Sequence, residues 1–219
     1  QDYVNLDISD SHFEDNYLMS PNTDGLYGSV IYQEDYGSLN ITNSDFINNG
    51  YEGENVQYSA REGGAIYTHS ENISINNSTF NNNHASYRGG AIYFANSNSN
   101  LDILNSVFTN NRAEDSNGGA INLNNGGHDI SISSSIFNNN YSGSNGGAIF
   151  TNNNSTIKAD SCSFNDNSAL HSGGGIYFEN AHYDTLDIKN STVNNNTTTN
   201  YRGGGIYIYD NDTGGNQSL

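Results

Sequence analysis

The sequence has one cysteine, Cys162, which rules out an intramolecular disulfide framework and any multi-cysteine metal site. Charge is scarce, at 14% Asp, Glu, Lys and Arg, and positive charge is scarcest: 6 Lys+Arg stand against 24 Asp+Glu, a formal net charge of −18. Such a balance repels phosphate backbones and anionic lipid surfaces, so nucleic acid is a poor partner and no direct membrane insertion is expected. No window approaches the roughly 20 apolar residues that span a bilayer, and no basic-then-apolar leader opens the chain. It begins at Gln1 and is read as a mature product or an excised piece. Hydrophobic residues are only 33% of 219, too few for a broad conventional core.

What is present is Asn, Ser, Thr and Gly, together with 16 Tyr and 9 Phe. Disordered segments combine low hydrophobicity with high charge and few aromatics, so this composition argues for a folded chain. The Lys-poor, amide- and hydroxyl-rich character points to an extracellular or cell-surface location. Asn-x-Ser/Thr sequons, among them Asn72, Asn76, Asn154, Asn190 and Asn211, leave glycosylation open.

The chain repeats itself. A glycine pair, a small residue and Ile recur at Gly63, Gly89, Gly118, Gly146, Gly173 and Gly203, with a worn copy at Gly28. In step with it runs an aromatic followed three residues later by Asn: Phe13 with Asn16, Phe46 with Asn49, Phe80 with Asn83, Phe108 with Asn111, Phe137 with Asn140 and Phe164 with Asn167, then Val193 with Asn196. Seven residues before each anchor stands Leu or Ile, and five before it Ile, with Ala159 in one copy. The unit is [LI]-x-I-x-x-S-x-F-x-x-N, a loop, G-G-[AG]-I-Y and a second loop. Each apolar piece has a period of two and none is long enough for an amphipathic helix.

Units under 30 residues without a helix cannot bury a core alone and make sense as coils of a solenoid. The expected fold is therefore all-β, a single-stranded parallel β-helix of about seven coils with three short strands per coil. It forms one domain over 1–219, with coils near 1–38, 39–72, 73–100, 101–129, 130–156, 157–185 and 186–219. Counterparts one coil apart stack at about 4.8 Å. That predicts inward ladders of Phe46, Phe80, Phe108, Phe137 and Phe164 and of Ile66, Ile92, Ile121, Ile149, Ile176 and Ile206. The amides of Asn49, Asn83, Asn111, Asn140 and Asn167 are expected to stack at a turn, because Asn tolerates left-handed angles and its carboxamide both donates and accepts. Cys162 falls in a Ser column (Ser11, Ser44, Ser78, Ser106, Ser135, Ser191) and reads as a small wall residue rather than a nucleophile. The Tyr of the glycine motif, at Tyr32, Tyr67, Tyr93, Tyr177 and Tyr207, is expected to face outward, because Asn122 in that column would be poorly satisfied inside.

The alternation of G-G-A-I with F-x-x-N from Leu6 to Tyr207 resembles the polymorphic outer membrane proteins of chlamydiae and the Asn- and Tyr-rich adhesin-like proteins of methanogenic archaea. The resemblance implies a right-handed parallel β-helix displayed on a cell surface, with adhesion as its role. Gly175 and Gly205 depart from the expected Ala.

Many enzymes acting on acidic polysaccharides share such a fold, so a lyase or hydrolase is a third functional reading. Asp7, Asp102 and Asp187 occupy one column but in nonadjacent coils, which suits a solvated face, and no catalytic residue is assigned. Arg88 and Arg202, each in a "YRGG", are expected over Tyr rings. The six histidines show no metal-ligand spacing and are expected exposed in loops. No cofactor is expected, apart from a Ca²⁺ candidate at Asp210 and Asp212 in "DNDTGG", which lacks a later acidic ligand.

The first two units carry insertions between the Asn and the glycine motif, at 17–27 and 50–62, and insertions at one turn of adjacent coils lie side by side. Tyr17, Tyr27, Tyr51, Glu52, Glu54, Tyr58 and Arg61 thus form a candidate binding patch for a glycan or protein on another cell surface, or a brace for the first coils. The leading functional reading is a non-enzymatic adhesin-like stalk or binding module. The alternative is a subunit of a filament whose copies stack end to end, since a β-helix has an open strand edge at each end.

Overall fold

A computed structural model describes residues 3–18, 26–50, 60–179 and 185–210. These residues form short strands joined by turns and bends, with no helix among them, and every strand pair is parallel. The architecture is a β-solenoid.

The [LI]-x-I pieces build the first sheet, seven strands from Leu6–Ser9 to Thr185–Lys189. Its register places Leu39, Ile73, Leu101, Ile130 and Ile157 opposite one another in successive coils. The F-x-x-N pieces build a second seven-stranded sheet, His12–Glu14 to Thr192–Asn194, and the glycine motifs a third, Ile31–Gln33 to Ile206–Tyr209.

The coil has four strands rather than the expected three. A six-stranded sheet runs from Ala60–Glu62 through His84–Arg88, Arg112–Ala113, Tyr141–Ser142 and Ser168–Ala169 to Thr197–Thr198. Four of its strands have two residues, too short to show an alternation in sequence, and its buried side chains are Ala60, Ala85, Ala113, Ser142 and Ala169 with Glu62 and His84, none of them Ile or Phe.

The core is a stack of rows. Phe46, Phe80, Phe108, Phe137 and Phe164 are fully buried, with rings 4.7 to 5.1 Å apart and nearly parallel. Ring spacing equals strand spacing, so each ring fills the layer of its own coil and only the coil above and below can cover it. This lets 33% hydrophobic residues suffice: the core is one side chain thick and continuous. Leu6, Ile8 and Phe13 in the first described coil and Leu186, Ile188, Val193 and Ile206 in the last are half-buried, with a neighbouring coil on one side among the described residues.

Polar ladders lock the register. Asn83 Nδ2 donates to Asn111 Oδ1 at 3.0 Å and to the Phe46 carbonyl at 2.9 Å, while its Oδ1 accepts from the Asn49 backbone N–H. The same set repeats from Asn16 to Asn196, with Asn49, Asn83, Asn111, Asn140 and Asn167 fully buried. The left-handed residue is not this Asn but the one before it, at Asn48, Asn82, Asn110, Asn139, Asp166 and Asn195. The F-x-x-N motif thus conceals a second position, an exposed turn residue that must accept positive φ.

In the serine column each backbone N–H donates to the Oγ of the next coil, as Ser78 does to Ser106 at 3.1 Å. Cys162 holds that place with its sulfur 3.2 Å from the Asp160 carbonyl, and burial pushes its thiol pKa up.

The two glycines of each motif have different tasks. Gly118 turns the chain at φ +73°. Gly119 lies against the next coil, where a Cβ would sit 2.0 Å from the Gly147 carbonyl oxygen.

Candidate functional site

The third sheet alternates residues that join the core, such as Ile92 and Phe94, with residues that face away from it, such as Tyr93. The outward column is not uniformly open. Tyr32 is 48% exposed and Tyr67 half-buried, but Tyr93, Asn122, Phe150 and Tyr177 are buried. They lie beneath the segment leading into the glycine pair: a Cβ on Gly173 would lie 2.9 Å from that of Tyr177, and Asn122 Nδ2 donates to the Asn117 carbonyl at 3.1 Å. Asn122 splits the column into an early aromatic stack and a late one.

The early stack is widened by Tyr27. Its ring lies 4.7 Å from Tyr67, which in turn is 5.1 Å from Tyr32 and 5.3 Å from Tyr93. Tyr27 is placed there by a parallel bridge to Glu62 and by the Arg61 N–H donating to the Leu26 carbonyl at 2.7 Å, so the far ends of both insertions meet. Burial raises the Tyr93 hydroxyl to about 12 and carries that of Tyr67 well above the usual phenol range. Both stay neutral donors at physiological pH.

Beside this stack lies a guanidinium cluster. The fourth sheet pairs Ala85 with Ala60 and Arg88 with Glu62, with an irregularity between that sets Tyr87 outside the regular ladder. Arg61 and Arg88 both lie over the Tyr87 ring, 4.9 and 4.7 Å from its centroid. Both also approach Glu62 Oε1, at 3.9 and 4.0 Å, beyond hydrogen-bonding reach. Glu62 is 8% exposed, and desolvation raises its carboxyl pKa against the pull of Arg88 and Arg61. In the next coil Arg112 lies 3.8 Å from the centre of the Tyr141 ring and makes a two-pronged pair with Glu114, with Nη2 donating to Oε1 at 2.9 Å. The arginine beside it holds the Glu114 pKa down. Three of the chain's four arginines therefore share one side of three successive coils.

Of the sequence-derived patch, Tyr27 and Arg61 enter this cluster. Tyr17 is exposed just beyond Asn16, the first member of the amide ladder. Tyr51, Glu52, Glu54, Tyr58 and the calcium candidate Asp212 lie outside the described residues, and Asp210 directly follows the last strand. Glu62, Tyr67, Tyr87 and Arg88 complete the cluster and were not in the patch. Their signal is positional: Glu62 and Arg88 both immediately precede a glycine pair, and the register sets them side by side. Arg202 is exposed at the opposite end.

Asp7, Asp102 and Asp187 fall in one outward column of the first sheet, separated by Asn40 and Ser74 and by Ser131 and Lys158. Among the described residues no three His, Cys, Asp or Glu side chains gather as metal ligands. Two histidines depart from the expected loop exposure. His128 is buried between coils, its Nδ1 accepting from the Ser99 N–H at 3.3 Å and its Nε2 at 2.9 Å from the Asn124 carbonyl oxygen. His84 is buried with its Nε2 3.5 Å from Glu114 Oε2. Desolvation lowers both pKa values, so these rings are neutral wall residues.

Stacked four-stranded coils with interior amide and phenylalanine ladders define the class, a parallel β-helix repeat protein. Within it, residues 77–95, 105–124, 134–152 and 161–179 match the Chlamydia polymorphic membrane protein (Chlamydia_PMP) repeat. Each match runs from the turn before the phenylalanine strand to the end of the glycine-motif strand. The chain thus carries four successive repeats of this type. No curated protein and no solved structure matches it. The first match takes in Tyr87, Arg88 and Tyr93, while Tyr27, Arg61, Glu62 and Tyr67 lie on the irregular coils before it.

Proposed function

We propose that the chain is a non-enzymatic β-helix of adhesin type, extracellular or on a cell surface, serving as a stalk that presents a binding face to a glycan or protein of another surface. The observation that supports it is the distribution of side chains on a scaffold of this repeat type. The regular coils present mainly Asn, Ser and Thr, whereas Tyr27, Tyr32, Tyr67, Tyr87, Arg61 and Arg88 gather where the irregular first coils meet the first regular repeat. Aromatic and Arg side chains carry most of the energy at binding surfaces, and solenoid insertions gather on the binding side. The spacing of Asp7, Asp102 and Asp187 over nonadjacent coils speaks against a catalytic row, and turnover in a screen of glycans with and without Ca²⁺ would overturn the non-enzymatic reading.

The reading is tested by immunogold labelling of intact source cells and by binding of the purified chain to candidate partner cells. Surface label and saturable binding are expected; label confined to the cell interior would sink it. End-to-end assembly is a second reading, supported by the half-buried Leu6, Ile8, Leu186 and Ile188 of the outer coils. Negative-stain microscopy at micromolar concentration separates the two: monomeric rods argue against the filament and polymers argue for it.

A further inference from the structure

We infer that Arg61 and Arg88 form an anion-recognition site, one that takes the acid group of a carboxylated or sulfated glycan whose sugar rings rest on the adjoining tyrosines. The inference rests on the adhesin reading and names the ligand class of its binding face.

In a chain with 6 cations against 24 acids, two guanidiniums converge on one ring and one carboxylate oxygen. Like charges are driven together only where something lies between them, and what lies there is insufficient. Glu62 Oε1 stands 3.9 and 4.0 Å away, too far for a hydrogen bond to either arginine. The Arg88 guanidinium donates to phenol hydroxyls, from Nη2 to Tyr87 at a long 3.4 Å and also to Tyr93, but no carboxylate reaches it, and its Nε is buried with no hydrogen-bond partner among the described residues. A buried guanidinium N–H without an acceptor is costly, and supplying the acceptor recovers that cost. Arg112, one coil on, shows the paired form: its guanidinium holds the Glu114 carboxylate with two prongs, from Nε and Nη2, within hydrogen-bonding reach. The pair Arg61 and Arg88 therefore has a net charge of +1 with Glu62 counted, and side-chain exposures of 39% and 29% leave it accessible.

The ligand class follows from the surroundings. A polyanion meets the field of the whole molecule, at −18, and is repelled. A single acid group on a neutral, hydroxyl-rich chain feels mainly the two arginines, because exposed charges beyond about 8 Å are screened at physiological salt. Guanidinium matches carboxylate and sulfate oxygens with paired N–H donors. Next to it, the exposed edge of the Tyr27, Tyr32 and Tyr67 stack offers apolar ring surface and hydroxyls together, as a sugar requires.

The test is calorimetric titration of the purified chain with three probes: a neutral galacto-oligosaccharide bearing a single terminal galacturonate, the methyl ester of that same compound and a monosulfated galacto-oligosaccharide. At up to about 1 mM probe, one or both acidic probes bind and the ester does not, and which acidic probe is tighter tells carboxylate from sulfate. Arg61→Gln and Arg88→Gln each weaken binding roughly tenfold or more. Arg202→Gln leaves it unchanged. Glu62→Gln strengthens binding, because it removes the competing carboxylate; a merely structural role for Glu62 would not do so. If Arg88→Gln lowers the melting temperature too far to be measured, the more exposed Arg61→Gln carries the comparison. Equal binding of ester and acid would overturn the anion site while leaving a glycan-binding face. No binding of any probe, with surface label intact on cells, would overturn the ligand class and leave the adhesin reading standing.

Discussion

Asn110 and Asn111 are neighbours of one residue type with opposite tasks. Asn110 sits exposed at φ +57°, whereas Asn111 is fully buried, accepting from the Asn83 N–H and Asn83 Nδ2 and donating to the Phe80 carbonyl and Asn140 Oδ1. Asn111→Ala orphans several buried groups at once and is expected to cost roughly 3 kcal/mol or more, while Asn110→Gly keeps the left-handed turn and stays within about 1 kcal/mol. Urea unfolding of both variants checks this, and equal losses would contradict the division. The glycine pair divides likewise. Gly119→Val drives a side chain into the Gly147 carbonyl and is expected to cost roughly 3 kcal/mol or more, read by the same urea unfolding. Sequence reasoning assigned the left-handed angle to the Asn of F-x-x-N itself. It missed that the preceding residue is the turn, because Asp15 and Asp166 vary that position and hide the column.

At the scale of an element, the short fourth sheet was invisible because Arg112–Ala113 or Ser168–Ala169 carries no period to detect. Yet that sheet positions Arg61, Arg88 and Arg112, so the cluster could not be assembled before its register was known. The serine ladder was legible, Cys162 included. There the thiol replaces a hydroxyl whose Oγ elsewhere accepts a backbone N–H, so Cys162→Ser is expected to match or exceed the parent in stability by up to about 1 kcal/mol, and Cys162→Val to lose. Burial raises this thiol's pKa, which lowers its thiolate fraction at any given pH; a chromogenic disulfide reagent should react with the native chain far more slowly than with the urea-unfolded one.

For the whole molecule, −18 charges on a rod repel one another, so the melting temperature should rise by several degrees between low salt and about 0.5 M NaCl. Mild acid should act in the same direction. Burial raises the carboxyl pKa of Glu62 and Glu179, so the folded chain holds those protons more tightly than the unfolded one. Their contribution is full below the ordinary carboxylate pKa and is lost as pH rises through the raised values. Glu114 runs the other way: its pKa is held down by Arg112, and its contribution disappears as pH falls through that lowered value. Melting temperature should therefore climb from pH 7 into the upper carboxylate range and decline below it. A profile falling monotonically from pH 7 would contradict both the charge argument and the buried carboxyls.

The sequence by itself determined the repeat, the three long strand columns, their register and the phenylalanine and amide ladders, because in a solenoid each residue's neighbour is its own counterpart one coil away and periodicity is contact. The tertiary structure alone decided what depends on contacts that do not repeat. It set the meeting of the two insertion ends at Tyr27 and Arg61, the burial of the tyrosine column under the glycine segment, and the convergence of Arg61 and Arg88 on Glu62. Those contacts join different positions of different coils, where a repeat has nothing to say.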